Sequence, residues 1–486
     1  MTGLSGRGAS NGVWALGGRD GLWGRMLIIG AVSLAGIRVA QAAPSAARPP
    51  GGPTLSLAQA LRVSLRHAHA IQSAEGTLTQ AHGQHLSALA AFLPTLSASD
   101  SEQLYAPLGA QSSTFIAGTL VSTRGRFYDN AATVSANWNL FDGGKDVAGY
   151  RAAADAVTAA HTGLEAAVNK TLIRVVGAYE AVAADQVRVR ADARIVAWDH
   201  RIVQMTQQRY RHLVASRLTV LQALQQSITA ETTGINDRTQ EASDREALAR
   251  AIGIPGRERL RVATSLPGPS RLPAAAEPIN RAPSVVAARA SWQASREGVS
   301  VAQAGYWPTL AVTAQYNALG LNPGSAQTAF TETRGSNYTV GLTVSWTLFP
   351  LLNTGGSVES AAGQAFTAEA GFWQAQVLAR RRRQAARHLY QTAKANTRAV
   401  AQGVRWAHET VRLTKARIRG AQDSELALAQ AEVARLQALT TERVAVLARA
   451  LAAWKLVRAD RPQRFATRLL RAALIRASGP ASPRRR

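Results

Sequence analysis

The sequence is an internal duplication, and this feature constrains its fold more than any other. Residues 209–223 align without a gap on 417–431, and residues 90–98 recur in the same order at 304–312. A proline-rich stretch lies between the two copies. We therefore expect two versions of one structural unit, joined by a linker.

Two terminal segments flank the duplicated part. A mostly apolar run at 26–37 precedes Ala40-Gln41-Ala42, the small-x-small pattern of a signal-peptidase site. The run is too short to span a bilayer, which takes about 20 residues. We expect a cleaved export signal, a start at Met1 or Met26 and a mature chain from about Ala43. The expected domains are a signal peptide (1–42), a first repeat (43–264), a proline-rich linker (265–283), a second repeat (284–460) and a basic, disordered tail (461–486).

Each repeat contains two segments in which apolar and polar residues alternate. The clearest segment is 338–348, where Thr, Ser and Gly occupy every second position. Strict alternation predicts strands with one apolar and one polar face. The first strand of the first repeat is weaker, because Asp100 and Glu102 interrupt it. We expect one β-hairpin in each repeat, at about 94–141 and 308–349.

The apolar strand faces carry aromatic residues near their ends, which is typical of a lipid-facing barrel wall around a wet lumen. Four strands can neither close a barrel nor form a stable sandwich alone, so several chains must contribute strands. A soluble β-sandwich, whose strands also alternate, is the alternative. The candidate membrane-interface aromatics are Trp138, Phe141, Tyr316, Tyr338, Trp346 and Phe349.

Long helices account for most of the remaining chain. From Gly144 to a break near His212 there is no proline, and apolar residues recur at spacings of three and four. A helix of that length, about 68 residues, measures roughly 100 Å. The second repeat has the same pattern from Gly356 to Arg419. Such helices exceed any globular core and must pack as coiled coils, reversing at turns near 212–219 and 420–425.

The charge invites a nucleic-acid interpretation that the rest of the sequence does not favour. The formal net charge is +26, from 56 Lys and Arg against 30 Asp and Glu, and basic residues neutralise phosphates. Nearly all of these residues are Arg, however, with runs such as 380–383 inside a predicted helix. A basic coiled-coil protein that binds nucleic acid stays an alternative, but it leaves the export signal and the strands unexplained.

No motif in the sequence indicates catalysis. A GxSxG elbow, a GxxxxGK[ST] loop and an HExxH pair are all missing, and without cysteine there is no thiol nucleophile or thiolate metal site. His82 and His85 share a helix face, but two ligands without an acidic partner make a poor metal site. We therefore expect no enzymatic activity, no cofactor and no metal.

The duplicated series of motifs resembles the outer membrane efflux protein family, typified by TolC. The resemblance covers about Leu55 to Asp460 and rests on residues of both repeats. The motifs are Leu57-Ala58-Gln59-Ala60-Leu61, Phe92-Leu93-Pro94, Trp138-Asn139-Leu140-Phe141-Asp142-Gly143-Gly144, Tyr306-Trp307-Pro308, the turns led by Arg209 and Arg417, and Leu248-Ala249-Arg250-Ala251-Ile252-Gly253-Ile254-Pro255.

The resemblance implies an α+β membrane protein. It implies a homotrimer in which each chain gives four strands to a twelve-stranded barrel in the outer membrane and its helices to a long periplasmic coiled-coil tunnel. The tunnel docks by its helical tips on a periplasmic adaptor coupled to an inner-membrane pump. The implied function is a passive exit duct for efflux or type I secretion. A periplasmic coiled-coil scaffold without transport is the remaining alternative.

Two groups of site residues follow from these expectations. The two turns have matching polar and apolar positions, which suits a partner that meets them tip to tip, although Ser216 and Ser424 also suit helix capping. Arg380, Arg381, Arg382 and Arg383 point around a helix and are candidates for charge lining the tunnel. The candidate docking residues are Arg209, Leu213, Ser216, Leu218, Thr219, Arg417, Gly420, Ser424 and Leu426.

Three departures from the family pattern stand out. Leu213 occupies the place of an expected glycine, and Thr219 that of a usual aspartate. Residues 350–354 are expected to lengthen the second strand-to-helix turn. These departures bear on the choice of adaptor rather than on the architecture.

Overall fold

A computed structural model describes most of the chain. The described residues are 55–105, 112–116, 119–123, 127–254, 261–322, 335–349, 351–420 and 422–477. The expected signal peptide and the start of the mature chain near Ala43 lie outside these ranges.

Helices dominate the structure. Within the described ranges, no helix combines the length and the apolar character needed to cross a membrane. The α-helices are α1 (Leu57–His67), α2 (His69–Ala90), α3 (Lys145–Arg211), α4 (Arg217–Ile252), α5 (Pro283–Gln303), α6 (Leu351–Arg419), α7 (Glu425–Asp460) and α8 (Phe465–Ala477).

The two longest helices form the expected coiled-coil hairpins. Helix α3 has 67 residues and α6 has 69, so each is about 100 Å long. Helix α3 packs along α4, and α6 packs along α7. The buried positions of α6 include Val404 and Val411, one heptad apart, as expected for an apolar seam. In α4 the buried positions one heptad apart are Ser227, Gly234 and Glu241, so the expected apolar seam is absent there.

The strand-to-helix turns of the two repeats differ. In the first repeat Gly143 and Gly144 have φ angles of +72° and +86°. A Cβ on Gly143 would lie 2.7 Å from the Ala304 carbonyl oxygen, so only glycine fits this close approach. In the second repeat the matching glycines lie inside α6, which begins at Leu351. The expectation that residues 350–354 lengthen a turn is therefore wrong for 351–354, which form the first helical turn.

Four antiparallel strands form the main sheet, in the order β1-β4-β5-β6. The central pair β4–β5 joins the two repeats. Strand β1 runs without interruption through Asp100 and Glu102 and pairs with β4 along its whole length, so the expected weakness there is absent. A further two-stranded hairpin between β1 and β4 was not expected. The strands are β1 (Thr95–Tyr105), β2 (Ser112–Ile116), β3 (Thr119–Thr123), β4 (Phe127–Phe141), β5 (Thr309–Asn322) and β6 (Gly335–Ser345).

The main hydrophobic core lies where α1, α3, α4, α7 and α8 meet. Its largest fully buried side chains include Trp454 and Tyr179. The Trp454 indole donates to the Pro267 carbonyl over 2.7 Å. The Tyr179 hydroxyl donates to the Leu55 carbonyl over 3.1 Å. These bonds tie the linker and the N-terminal segment to the long helices.

The expectation of a disordered tail is wrong for residues 465–477. They form α8, whose Phe465 and Leu469 are fully buried in the core. Phe465, Leu469 and Ala473 recur every four residues and so share one helix face. This amphipathic pattern gives the segment an apolar face to bury, despite its many arginines. Residues 478–486 lie outside the described ranges.

Candidate functional site: the strand belt and the helical tips

The sheet has one apolar face that stays exposed. On β6 the side chains of Tyr338, Val340, Leu342 and Val344 are 64% to 82% exposed. The register places residues of the same parity side by side, so that Leu342 pairs with Val312 and Val312 with Trp138. We call this row of apolar side chains the strand belt. A continuous exposed apolar surface of this kind needs lipid or another apolar surface to cover it.

The opposite face of the sheet is polar and cross-linked by hydrogen bonds. The Asn317 amide accepts from the Thr133 hydroxyl and donates to Asn337, both over 3.0 Å. The hydroxyls of Ser97 and Ser135 are 2.7 Å apart. The sheet therefore separates an apolar side from a side suited to water, as in the wall of a membrane barrel.

Four of the six candidate aromatics lie on the strands of this belt, and Trp346 and Phe349 follow the end of β6. The indole of Trp138 donates to the Phe92 carbonyl over 3.0 Å, and that of Trp346 to the Tyr306 carbonyl over 3.2 Å. The two repeats thus anchor their tryptophans in the same way, at the helical end of the sheet. Phe141 and Phe349 are exposed near that end.

The two candidate tyrosines lie farther along the strands. Tyr316 pairs directly with Tyr338. Eight residues separate Tyr338 from Trp346, which corresponds to about 20 Å across a membrane for strands tilted by about 40°. The apolar band of a membrane barrel is about 25 Å tall. The spacing of these two aromatic levels therefore suits a bilayer.

The first tip joins α3 to α4 through a strained turn. Leu213 has φ +62°, a left-handed conformation that disfavours side chains other than glycine. The Val214 N–H donates to the Arg209 carbonyl over 2.8 Å. Leu213 is 93% exposed and Leu218 is 64% exposed. This tip presents two uncovered apolar side chains.

The residues after this turn begin α4. The Ser216 hydroxyl accepts from the Thr219 N–H over 3.2 Å, and it lies 2.9 Å from the Thr219 hydroxyl. Ser216 is therefore the N-cap of α4. The capping role predicted as a possibility for this serine is confirmed.

The second tip joins α6 to α7 and differs from the first in its apolar residue. Leu426 is half-buried and packs against a small cluster that contains Ile202, Ala429 and Val433. The Ser424 hydroxyl accepts from the Ala427 N–H over 3.4 Å and caps α7. The two tips therefore share their caps, but only the first presents its leucine.

The polar residues of the second tip hold the turn closed. The Arg417 guanidinium lies 3.7 Å from the Asp423 carboxylate, a partner that the sequence comparison of the repeats missed. The Gly420 N–H donates to the Ala416 carbonyl. A Cβ on Gly420 would meet nothing closer than 3.6 Å, so the turn has room for a side chain at this position.

The four arginines of α6 lie in different environments. Arg380 and Arg381 are exposed, and so is Arg382. Arg383 donates to the Glu277 carbonyl over 2.6 Å and lies 3.5 Å from the Asp460 carboxylate. Arg383 thus joins the linker to the end of α7, and the expectation that the four arginines line the tunnel stays a prediction.

Two layers of facing carboxyl groups inside the first hairpin were also missed. Asp185 on α3 faces Asp244 on α4, and one heptad along α3 Asp192 faces Asp237. Burial, followed by the facing carboxyl group, raises the pKa of Asp185 and of Asp192 to about 6 each. One oxygen of each of these two carboxyls is buried without a hydrogen-bond donor. A spacing of seven with aspartate in both helices was the available sequence signal.

Taken together, the strand belt and the two long helical hairpins define a class of protein. It is a channel subunit whose sheet lies in a membrane and whose long helices extend from that sheet as coiled coils. The sequence model described as "Outer membrane efflux protein" matches residues 60–254 and 276–460. The chain belongs to that family, as its motifs indicated.

Solved structures agree with this assignment. The outer membrane protein VceC from Vibrio cholerae is 18% identical over 83% of this chain and 95% of its own, with a TM-score of 0.67. The outer-membrane channel OprN is 20% identical over 82% of this chain and 89% of its own, with a TM-score of 0.66. The CmeC outer membrane channel of Campylobacter jejuni is 14% identical over 86% and 89%, with a TM-score of 0.71.

No curated protein sequence matches the chain significantly. The predicted fold class, an α+β membrane protein with four barrel strands in each chain, a coiled-coil extension and an internal duplication, is confirmed by the family and by these folds.

Proposed function

We propose that the protein is the outer-membrane exit duct of a tripartite efflux or type I secretion system. It conducts substrates passively from a periplasmic adaptor and an inner-membrane pump to the exterior. The observation that carries this proposal is the strand belt, an exposed apolar face that crosses β4, β5 and β6 at one end of two helices about 100 Å long.

The proposed duct is a homotrimer. Within the described ranges β1 and β6 each pair on one side only, and free strand edges call for pairing. Three chains of four strands make a barrel of twelve, an even number within the range of membrane barrels. Helix α4 also exposes apolar residues one heptad apart, at Leu221, Ile228 and Ile235. A stripe of this spacing suits packing against a neighbouring coil.

The strand belt also separates this proposal from its alternatives. Neither a periplasmic scaffold nor a nucleic-acid-binding coiled coil explains an exposed apolar sheet with tryptophan at one end and tyrosine about 20 Å away. The proposed location is the outer membrane, with the helices in the periplasm and membrane lipid around the belt.

Fractionation and native mass measurement test the assembly. We expect the protein to remain in the outer-membrane fraction after high-salt and alkaline washes, and to have a trimer mass in mild detergent. A chain released by the washes would overturn the membrane assignment. A monomer mass would overturn the trimer.

The first tip is the proposed adaptor contact, because Leu213 and Leu218 are uncovered there. We expect Leu218→Asp to abolish efflux or secretion in cells while trimer mass and membrane insertion stay unchanged. Leu218→Met, which keeps the apolar surface, is the matched control and should transport normally. Normal transport by Leu218→Asp would show that the adaptor binds elsewhere.

A further inference from the structure

A cavity of about 480 Å³ lies between the linker, α7 and α8. Its apolar lining comes from the linker, with Leu272 and several prolines, and from Trp454 and Val457 on α7. The Trp454–Pro267 hydrogen bond holds one wall in place. A concave, mostly apolar and preformed cavity of this volume is typical of sites for small organic molecules.

The polar groups of this cavity are strongly one-sided. Four arginines line it, and no Asp or Glu does. Among the described residues, none of the four forms an ion pair. Arg461 donates to the Ala275 carbonyl over 3.2 Å, which positions its guanidinium. The arginines are Arg271, Arg461, Arg468 and Arg471.

This arrangement is favourable for an anion. Guanidinium groups without a carboxylate partner repel one another, and an anion between them relieves that repulsion. Arginine also binds carboxylate, sulfonate and phosphate groups through paired hydrogen bonds. Arg468 and Arg471 are three residues apart on α8 and so lie on one helix face. The apolar lining favours a ligand with an apolar body over a bare inorganic anion.

We propose that this cavity binds an organic anion, whose acid group is held by Arg461, Arg468 and Arg471 and whose apolar body rests against the linker and α7. The site lies in the junction of the repeats, away from the strand belt and the tips. A bound anion connects α8 to the linker, so it stabilises the docking of α8.

Binding of naphthalene-2-sulfonate to the full-length protein in lipid nanodiscs, measured by isothermal titration calorimetry, tests the proposal. Inorganic phosphate serves as the bare anion. We expect naphthalene-2-sulfonate to bind at least tenfold more tightly than phosphate. Equal affinities would overturn the organic class of the ligand, and no binding of either probe would overturn the site.

Two charge variants locate the site. The double variant Arg468→Gln/Arg471→Gln should weaken binding of naphthalene-2-sulfonate at least tenfold. Arg380→Gln/Arg381→Gln removes the same charge from an exposed part of α6 and should leave the affinity unchanged. An equal loss in both variants would show binding to net charge alone. Arg461→Gln, which lies outside α8, gives a second reading if the α8 variant loses its helix by circular dichroism, and an unchanged affinity there would then overturn the proposal.

Discussion

The two helical hairpins have almost the same lengths, but the pKa values of particular buried carboxyl groups are shifted in opposite directions. In α3–α4, Asp185 and Asp192 face other carboxyls, and their pKa values are raised to about 6, although the Arg188 guanidinium lies 2.7 Å from Asp185. In α6–α7, Glu432 lies 2.7 Å from Arg435 and 3.3 Å from Lys415. Burial acts to raise the pKa of Glu432, but these two cations outweigh it, and the pKa is lowered.

The difference shows which properties survive after a duplication. Helix length is shared by both hairpins, with 67 and 69 residues in the long helices and 36 in each return helix. The polar layers differ, since Asp185 and Asp192 each keep a buried oxygen without a hydrogen-bond donor, whereas Arg435 and Lys415 neutralise Glu432. The two hairpins should therefore respond to pH in opposite directions.

The largest expected effect separates the two tips. Leu426→Asp places a charge among Ile202, Ala429 and Val433, and we expect it to lower the stability of the α6–α7 hairpin by about 2–4 kcal/mol. Leu218→Asp, at an exposed position, should change stability by less than about 0.5 kcal/mol. Hydrogen exchange of the tip amides measures both. Equal protection in the two variants would contradict the asymmetry of the tips.

The second-largest expected effect is a pH dependence of stability caused by the facing carboxyl groups of α3 and α4. Because the native state keeps its protons to a higher pH than the unfolded state, the stability of α3–α4 should fall as the pH rises from about 4 to about 6, and stay low above that. Asp185→Asn/Asp192→Asn should remove this fall and add on the order of 1–2 kcal/mol per carboxyl at pH 7.5, since water screens part of the full value.

Hydrogen exchange along α3 and α4, corrected for the intrinsic rate at each pH, measures this effect. The α6–α7 amides of the same sample are the internal control. A double variant with the pH profile of the original protein would show that the facing aspartates do not share protons.

Glu432 predicts a smaller effect of the opposite sign. Its pKa is lowered in the native state, so its stabilisation is present above the ordinary value of 4.5 and is lost as the pH falls below it. Glu432→Gln should cost about 1 kcal/mol at pH 7 and almost nothing at pH 3. Thermal unfolding followed by tryptophan fluorescence at both pH values checks this, and a cost independent of pH would exclude the ion pairs as its cause.

The smallest expected effect concerns the strained turn. Leu213→Gly should stabilise the first tip by about 1 kcal/mol, because glycine adopts φ +62° without a steric penalty. Gly420→Ala, at the second tip, has no positive φ to accommodate and should change stability by less than about 0.5 kcal/mol. Urea unfolding of the two variants side by side measures both. Destabilisation by Leu213→Gly would show that the exposed leucine side chain supports the turn.

Much of the fold could be predicted from local patterns. The spacing of apolar residues in α3 predicted a helix of about 68 residues, and the structure has 67. The alternation at 338–348 predicted which face of β6 is apolar. Both patterns have a short period, so each is visible within a few residues of sequence.

Other features depended on contacts between distant segments. Strand β1 tolerates Asp100 and Glu102 because it pairs with β4 along its whole length, and backbone pairing does not depend on side-chain polarity. The basic tail was expected to be disordered from its composition, but three of its apolar residues, Phe465, Leu469 and Ala473, are buried in the core around Trp454.

The sequence by itself determined the duplication, the lengths of the coiled coils and the two faces of the strands, since these follow from periodicity and sterics within each segment. Only the tertiary structure decided which leucine is exposed at a tip, which carboxyls face one another and which arginines surround a cavity. These properties depend on how segments that are distant in the chain pack together, for example the linker at Pro267 and α7 at Trp454. The packing of such distant segments depends on the sum of many weak contacts, which a local sequence pattern does not reveal.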